Sequence, residues 1–283
     1  MRAPNCATGP LGEEIHVNPR GPVRQFGPLP IAPSLGVSAS SGMRPFILLM
    51  AGFVLGLPSP ARADWMLSAY LGAARTQPST ARLDQPAQQT SLEFIDLHYR
   101  GESSRPRRYY GYRIAWIPRS RHWMAIEAEH VHAKVFAETE DIGRLRGTLH
   151  AVPIDTSQKV SLVVQELSMS HGLNFIFGNF VMRREFGARH GAGRRATAAI
   201  RIGAGPTVPH AESTINGVSR QQYEYGGIGA QVGAGVEVAV WRGVHVLGEY
   251  KFTGTTARIS VDDGEAVIPA RSHHGVAGVA VRF

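Results

Sequence analysis

The residues from Ser272 to Phe283 alternate between two faces, and the chain stops on an aromatic carboxyl-terminal residue. His273, Gly275, Ala277, Val279, Val281 and Phe283 share one face, and Ser272, His274, Gly278 and Arg282 the other. Successive side chains of a strand point to opposite sides, so this segment asks for lipid on one side and a crowded or polar interior on the other. An outer-membrane β-barrel offers both environments. That expectation sets the frame for every other segment and places the protein in the bacterial outer membrane.

A leader is expected deep in the chain. Met43-Arg44-Pro45 is a short basic start, Phe46 to Leu57 an apolar run, and Pro58 to Ala63 a small-residue segment ending Ala61-Arg62-Ala63. This is the layout of a secretory signal peptide, too short and wrongly flanked for a spanning helix. Residues 1–42, rich in Pro, Gly and Ser and without periodicity, read as a disordered upstream extension or a mis-assigned start. Signal peptide over 43–63 and barrel over 64–283 is the expected organisation, and its length fits one domain. The single cysteine, Cys6, lies upstream of the barrel, so no disulfide or thiol chemistry is expected there. From Asp64 onward 25 basic residues face 20 acidic ones, a net charge of +5. An exported basic surface meets lipopolysaccharide phosphate rather than nucleic acid, so outer-membrane lipid and lipid A are the expected partners of a monomeric, membrane-embedded chain.

Read for period two, the sequence predicts eight crossing strands at about 65–76, 108–117, 122–136, 170–186, 196–209, 223–240, 244–254 and 271–283. The connections alternate long (77–107, 137–169, 210–222, 255–270) and short (118–121, 187–195, 241–243). That is the phase of external loops and periplasmic turns when the last strand ends in the periplasm. Trp65, Trp116, Trp123 and Trp241, with Phe186 and Phe283, all fall at predicted periplasmic ends, as a lower aromatic girdle requires. The fold class is therefore all-β, an eight-stranded antiparallel transmembrane up-and-down barrel. Residues 90–100 alternate well enough to be a further strand, and the topology keeps its phase only if they belong to an ordered external loop. The face of 170–186 stays open, because Leu173, Phe175, Phe177 and Val181 compete with Ile176, Phe180 and Met182 for lipid.

Eight strands leave a lumen only wide enough for side chains. Arg113, Glu127, Glu129, Arg201, Glu237, Glu249, Lys251 and Arg282 are predicted to point into it, four of each sign, and to fill it with paired charges. Histidines suggest chemistry at the outer mouth, since the topology brings His132, His171 and His210 to one level. With Glu129 they form a candidate divalent-metal set, and Glu129, His132, Lys134, His171 and Asn174 a candidate catalytic set. Parity objects: Glu129 and His132 lie on opposite faces of one strand unless a bulge near Glu129 to Val131 shifts the phase. Ser168 and Ser170 beside His171 offer a nucleophile, but adjacent strand residues face opposite ways. Arg100, Arg105, Arg107 and Arg108 in the first loop are candidate phosphate-binding residues, because guanidinium forks suit phosphate.

The segments Tyr109-Tyr110-Gly111-Tyr112-Arg113, Glu127 to Val135, Ser170 to Phe175, Gly203 to His210 and Gly248-Glu249-Tyr250-Lys251 resemble those of small proteobacterial outer-membrane barrels that include the lipid A oxidase. The resemblance implies O2-dependent oxidation of the proximal glucosamine of lipid A to an aminogluconate, with a divalent metal. The competing expectation is a non-enzymatic barrel, like OmpA or OmpW, with a structural or surface-binding role.

Overall fold

The computed structural model describes residues 63–103, 108–187 and 195–283. The expected upstream extension, all but the last residue of the expected leader, and Arg105 and Arg107 lie outside the described residues. Fourteen strands are found among the described residues: β1 (Ala63–Thr76), β2 (Ser79–Gln85), β3 (Thr90–Leu97), β4 (Tyr99–Arg100), β5 (Tyr110–Pro118), β6 (Met124–Ala137), β7 (Ile142–Leu149), β8 (Val152–Lys159), β9 (Val164–Phe186), β10 (Ala196–Ile215), β11 (Val218–Tyr223), β12 (Gly227–Trp241), β13 (Val244–Val261) and β14 (Gly264–Arg282). Eight of them, β1, β5, β6, β9, β10, β12, β13 and β14, pair in that order, and β14 pairs back on β1. Every step is antiparallel, from Met66 opposite Arg282 to Thr76 opposite Ser272 at the closing seam. The ring is the eight-stranded barrel that the periodicity predicts, and closure leaves its spanning part without an edge.

Its outer surface is apolar. Leu71, Ile114, Ile126, Ile176, Ile200, Ile202, Val232, Val246 and Val279 are each more than 40% exposed. A band of that kind running round a ring has no use in water, and it fits the hydrocarbon of the outer membrane. Trp116, Trp123, Trp241, Phe186 and Phe283 are exposed below it, and Trp65 pairs with Trp116, so the lower girdle is present. In β9 the open question resolves in favour of Ile176, Phe180 and Met182 outside and Phe175, Phe177 and Val181 inside. The two inward phenylalanines stack at 5.0 Å.

The interior is ionic. Glu129 accepts from Tyr70 (2.6 Å), Lys251 (2.6 Å) and Asn179 (2.9 Å), while Arg113 reaches Glu249 at 2.9 Å and Arg201 reaches Glu127 at 3.0 Å. Arg201 also donates to Glu249, and Arg183 to Glu237 at 2.9 Å. All of these groups are buried, and the gap among Arg113, Arg201, Glu237 and Glu249 is too narrow to admit a water molecule. Small inward residues make room: a β-carbon on Gly111 would collide with the Tyr70 ring that crosses it.

Above the bilayer the ring continues. β9, β10, β13 and β14 run to 23, 20, 18 and 19 residues, about twice what a tilted crossing requires. Residues 210–222 and 255–270, expected as loops, are instead hairpins of β10 with β11 and of β13 with β14. β2 pairs with the top of β14, then β3, β7 and β8 extend a sheet outward, so 90–100 lies outside the ring as expected but forms strands β3 and β4 rather than a loop. This outer half packs Leu83, Leu92, Phe94, Leu145, Ile259 and Val261 inside and carries its charges outside.

Candidate functional site on the outer wall

Near the outer rim, β6 keeps an unbroken register from Met124 to Ala133 against β9, so no bulge intervenes between Glu129 and His132. Parity therefore decides their faces. Glu129 is committed to the interior network, and His130 and His132 point away from it toward the outside. The structure does not bring Glu129 to the histidines; the phase shift that would have done so is absent from β6. Lys134 lies on the same outward phase, at the step between Ala133 and Val135 where the pairing slips, and is buried.

The slip belongs to β9. Ser170, His171 and Gly172 lie between paired residues on both sides, opposite Lys134 on one strand and opposite His210 and Ala211 on the other. Such bulges re-aim side chains at barrel rims. Gly172 takes φ +113°, and a β-carbon there would strike the His132 ring. With the bulge, His171 joins His132, Asn174, His210 and Glu212 on the outward face.

Two groups result. In the first, His132 Nδ1 lies 2.9 Å from Asn174 Oδ1, and its ring stacks on Tyr110 at 4.7 Å. His130 stacks on Tyr112 at 4.8 Å, and Asn174 also donates to the Val208 carbonyl at 3.0 Å. In the second, His171 Nδ1 lies 2.7 Å from Glu212 Oε1 and His210 Nδ1 lies 3.5 Å from the same oxygen. The two imidazoles meet edge to face at 4.3 Å, and Tyr223 packs on His210 at 4.2 Å. Gln221, across the β10–β11 hairpin, donates to Glu212 Oε1. The ligating atoms of His171, His210 and Glu212 all fall within 4.8 Å of one another. Of the expected metal set, His171 and His210 converge, His132 sits in the neighbouring group and Glu129 lies inside the barrel.

Sequence reasoning missed Glu212 because it placed 210–222 in a loop. The spacing His210-Ala-Glu212 was the available signal, since on a strand both fall on one face. Ser170 does approach His171, at 2.8 Å, but through Nδ1, the nitrogen that also faces Glu212. A proton relay needs the nucleophile and the carboxylate on different ring nitrogens, so this is not a hydrolytic triad.

The described loop arginines are otherwise placed. Arg100 lies 3.4 Å from Glu102 and over the Phe136 ring at 5.4 Å, beside an acidic cleft of about 420 Å³ that includes Glu138, Glu140, Asp141 and Glu166. Arg108 is exposed just before β5. Two unexpected cations face outward beside His273, Arg75 opposite it on β1 and Arg271 two residues before it on β14, and neither meets a carboxylate among the described residues. His273 accepts or donates to Tyr250 at 2.6 Å, so tyrosine and histidine line this side of the rim as well.

No protein-family model matches the chain, and no curated protein does. Among solved structures it is similar to Neisserial surface protein A (14% identity, TM-score 0.33, covering 78% of this chain and 99% of that one). It is similar also to the attachment invasion locus protein Ail of Yersinia pestis (12%, 0.32, 78% and 99%). A third is the outer membrane protein OprG of Pseudomonas aeruginosa (6%, 0.40, 78% and 96%). At these values the fold stands on the ring closure and the apolar belt of this chain.

Proposed function

We propose that this protein is a sealed, non-enzymatic outer-membrane barrel that works at its outer rim by binding lipopolysaccharide of the surrounding leaflet. The observation that carries the reading is the buried ion network across the lumen, which leaves the rim and wall as the surfaces free to meet a ligand. The net charge of +5 from Asp64 onward and the outward Arg75 and Arg271 beside His273, which bonds Tyr250, support a phosphorylated glycolipid as that ligand, since guanidinium groups suit phosphate and aromatic rings suit the interface. Protein reconstituted into planar bilayers is expected to give no pore-sized conductance, and to co-purify with lipopolysaccharide less well after Arg75→Ala with Arg271→Ala. Open channels in the wild type, or equal retention of lipopolysaccharide by the double variant, would contradict the proposal.

One observation favours a second reading, a lipid A-modifying oxidoreductase. His132, Asn174, His171 and His210 gather on the lipid side of the rim, the level at which lipid A sugars lie, rather than in the lumen. Mass spectrometry of lipid A from cells carrying the wild type or a His171→Ala, His210→Ala variant separates the two. An oxygen-enriched species made only by the wild type supports oxidation of the proximal glucosamine, and its absence from both leaves the binding barrel.

A further inference from the structure

We infer that His171, His210 and Glu212 form a binding site for one divalent transition-metal ion on the outer wall of the barrel. The site is independent of glycolipid recognition and is testable without lipid.

Three features carry the inference. The first is convergence: both imidazoles approach one carboxylate oxygen, His171 Nδ1 at 2.7 Å and His210 Nδ1 at 3.5 Å. The second is an unmet need, because His210 Nδ1 is buried and has no hydrogen-bond partner. It lies within ion-pair reach of Glu212 yet makes no hydrogen bond there, and a buried nitrogen left so is costly unless something coordinates it. The third is construction. The Ser170–Gly172 bulge, with Gly172 at φ +113°, turns His171 onto the face where strand alternation already puts His210 and Glu212.

Donor chemistry sets the class of ion. Two imidazoles and one carboxylate match the three-ligand sets that hold zinc or iron(II) with a position open to water or a ligand, whereas calcium and magnesium prefer oxygen alone. Gln221 on Glu212 and Tyr223 against His210 are outer contacts that hold these ligands in orientation, whereas Ser170 bonds the His171 Nδ1 that the ion would take and gives that nitrogen up to it. An ion here takes the place of the proton shared by His171 and Glu212. It also ties β9, β10 and, through Gln221 and Tyr223, β11 into one unit.

The test uses the untagged full chain extracted from outer membranes, stripped with chelator and titrated in detergent with Zn2+ by calorimetry and with Co2+ by visible absorption. One Zn2+ per chain and a cobalt spectrum of a nitrogen- and oxygen-ligated low-coordinate site are expected. Both signals should vanish in His210→Ala and in Glu212→Gln, and persist in His132→Ala and in Glu138→Gln of the acidic cleft. Gln221→Ala, which removes an outer contact, should weaken binding about tenfold. Retained heat-modifiable migration of each variant shows that the barrel has formed. Absence of stoichiometric binding by the wild type, unchanged binding by folded His210→Ala, or equal loss in His132→Ala each overturns the site.

Discussion

The lower and upper halves of this barrel follow opposite rules in the same strands. Along β13, the inward residues Glu249, Lys251 and Thr253 of the membrane half give way to Ala257, Ile259 and Val261 above it, all buried. Outward, Val246 and Tyr250 give way to Thr256 and Arg258. The backbone alternates without interruption through the change, and only the polarity of the two faces is exchanged. Solvent decides this. Lipid outside permits an apolar wall and forces charges inward, where each must find a partner, whereas water outside restores the usual apolar core. The exchange falls between about Phe252 and Thr256, the level of Arg75, Arg271 and His273, and the His171 group lies on the wall near the same boundary.

The contrast predicts effects of different size. Glu129→Ala leaves Lys251 and Arg113 buried with too little negative charge, and should cost about 3–5 kcal/mol of barrel stability, read by urea unfolding in bilayers. A loss below about 1 kcal/mol would mean that the network is solvated. Next in size, Ile200→Arg sets a charge on the apolar wall and should cost about 2–4 kcal/mol, while Thr256→Arg, on the corresponding face above the boundary, should cost under about 1 kcal/mol. Equal penalties would erase the distinction between the halves. Smallest is an acid effect confined to the outer sheet. Arg82 and then Arg146 hydrogen-bond Glu93 and hold its carboxyl below the ordinary 4.5. A depressed carboxyl contributes stability above its unfolded value and loses it as pH falls through the folded one. Amide protection of β2, β3 and β7, corrected for the intrinsic exchange rate, should therefore fall below about pH 4.5 while that of the ring holds, and Glu93→Gln should abolish the difference.

Ring strands were legible in the sequence because a lipid-facing strand must show its apolar side chains on one parity, as Ile228 to Val240 do in β12. The upper ends of β10, β13 and β14 were not. There the phase of polarity reverses, and a scan for outward apolar residues reads 255–270 as loop although Ala257, Ile259, Ala266 and Ile268 alternate well with an inward face. The interior charges could be assigned for the same reason that the strands could. At the rim, parity gave the correct objection to joining His132 with Glu129, but nothing local announces the three-residue bulge at Ser170–Gly172. Gly172, whose lack of a β-carbon permits both the positive φ and the nearby His132 ring, is the one residue that marks it. The same reversal of polarity hides Glu212, which lies on β10 beyond Pro209, where the outward apolar pattern stops.

Spin labels placed singly from residue 246 to 258 along β13 test the polarity exchange most directly, by their relative collision with oxygen and with a water-soluble nickel complex. The even positions 246, 248, 250 and 252 should favour oxygen, position 258 should favour nickel, and odd positions 247 to 257 should be sheltered from both. Nickel access at positions 246 to 250, or loss of the two-residue alternation, would contradict a closed barrel seated in lipid to that depth.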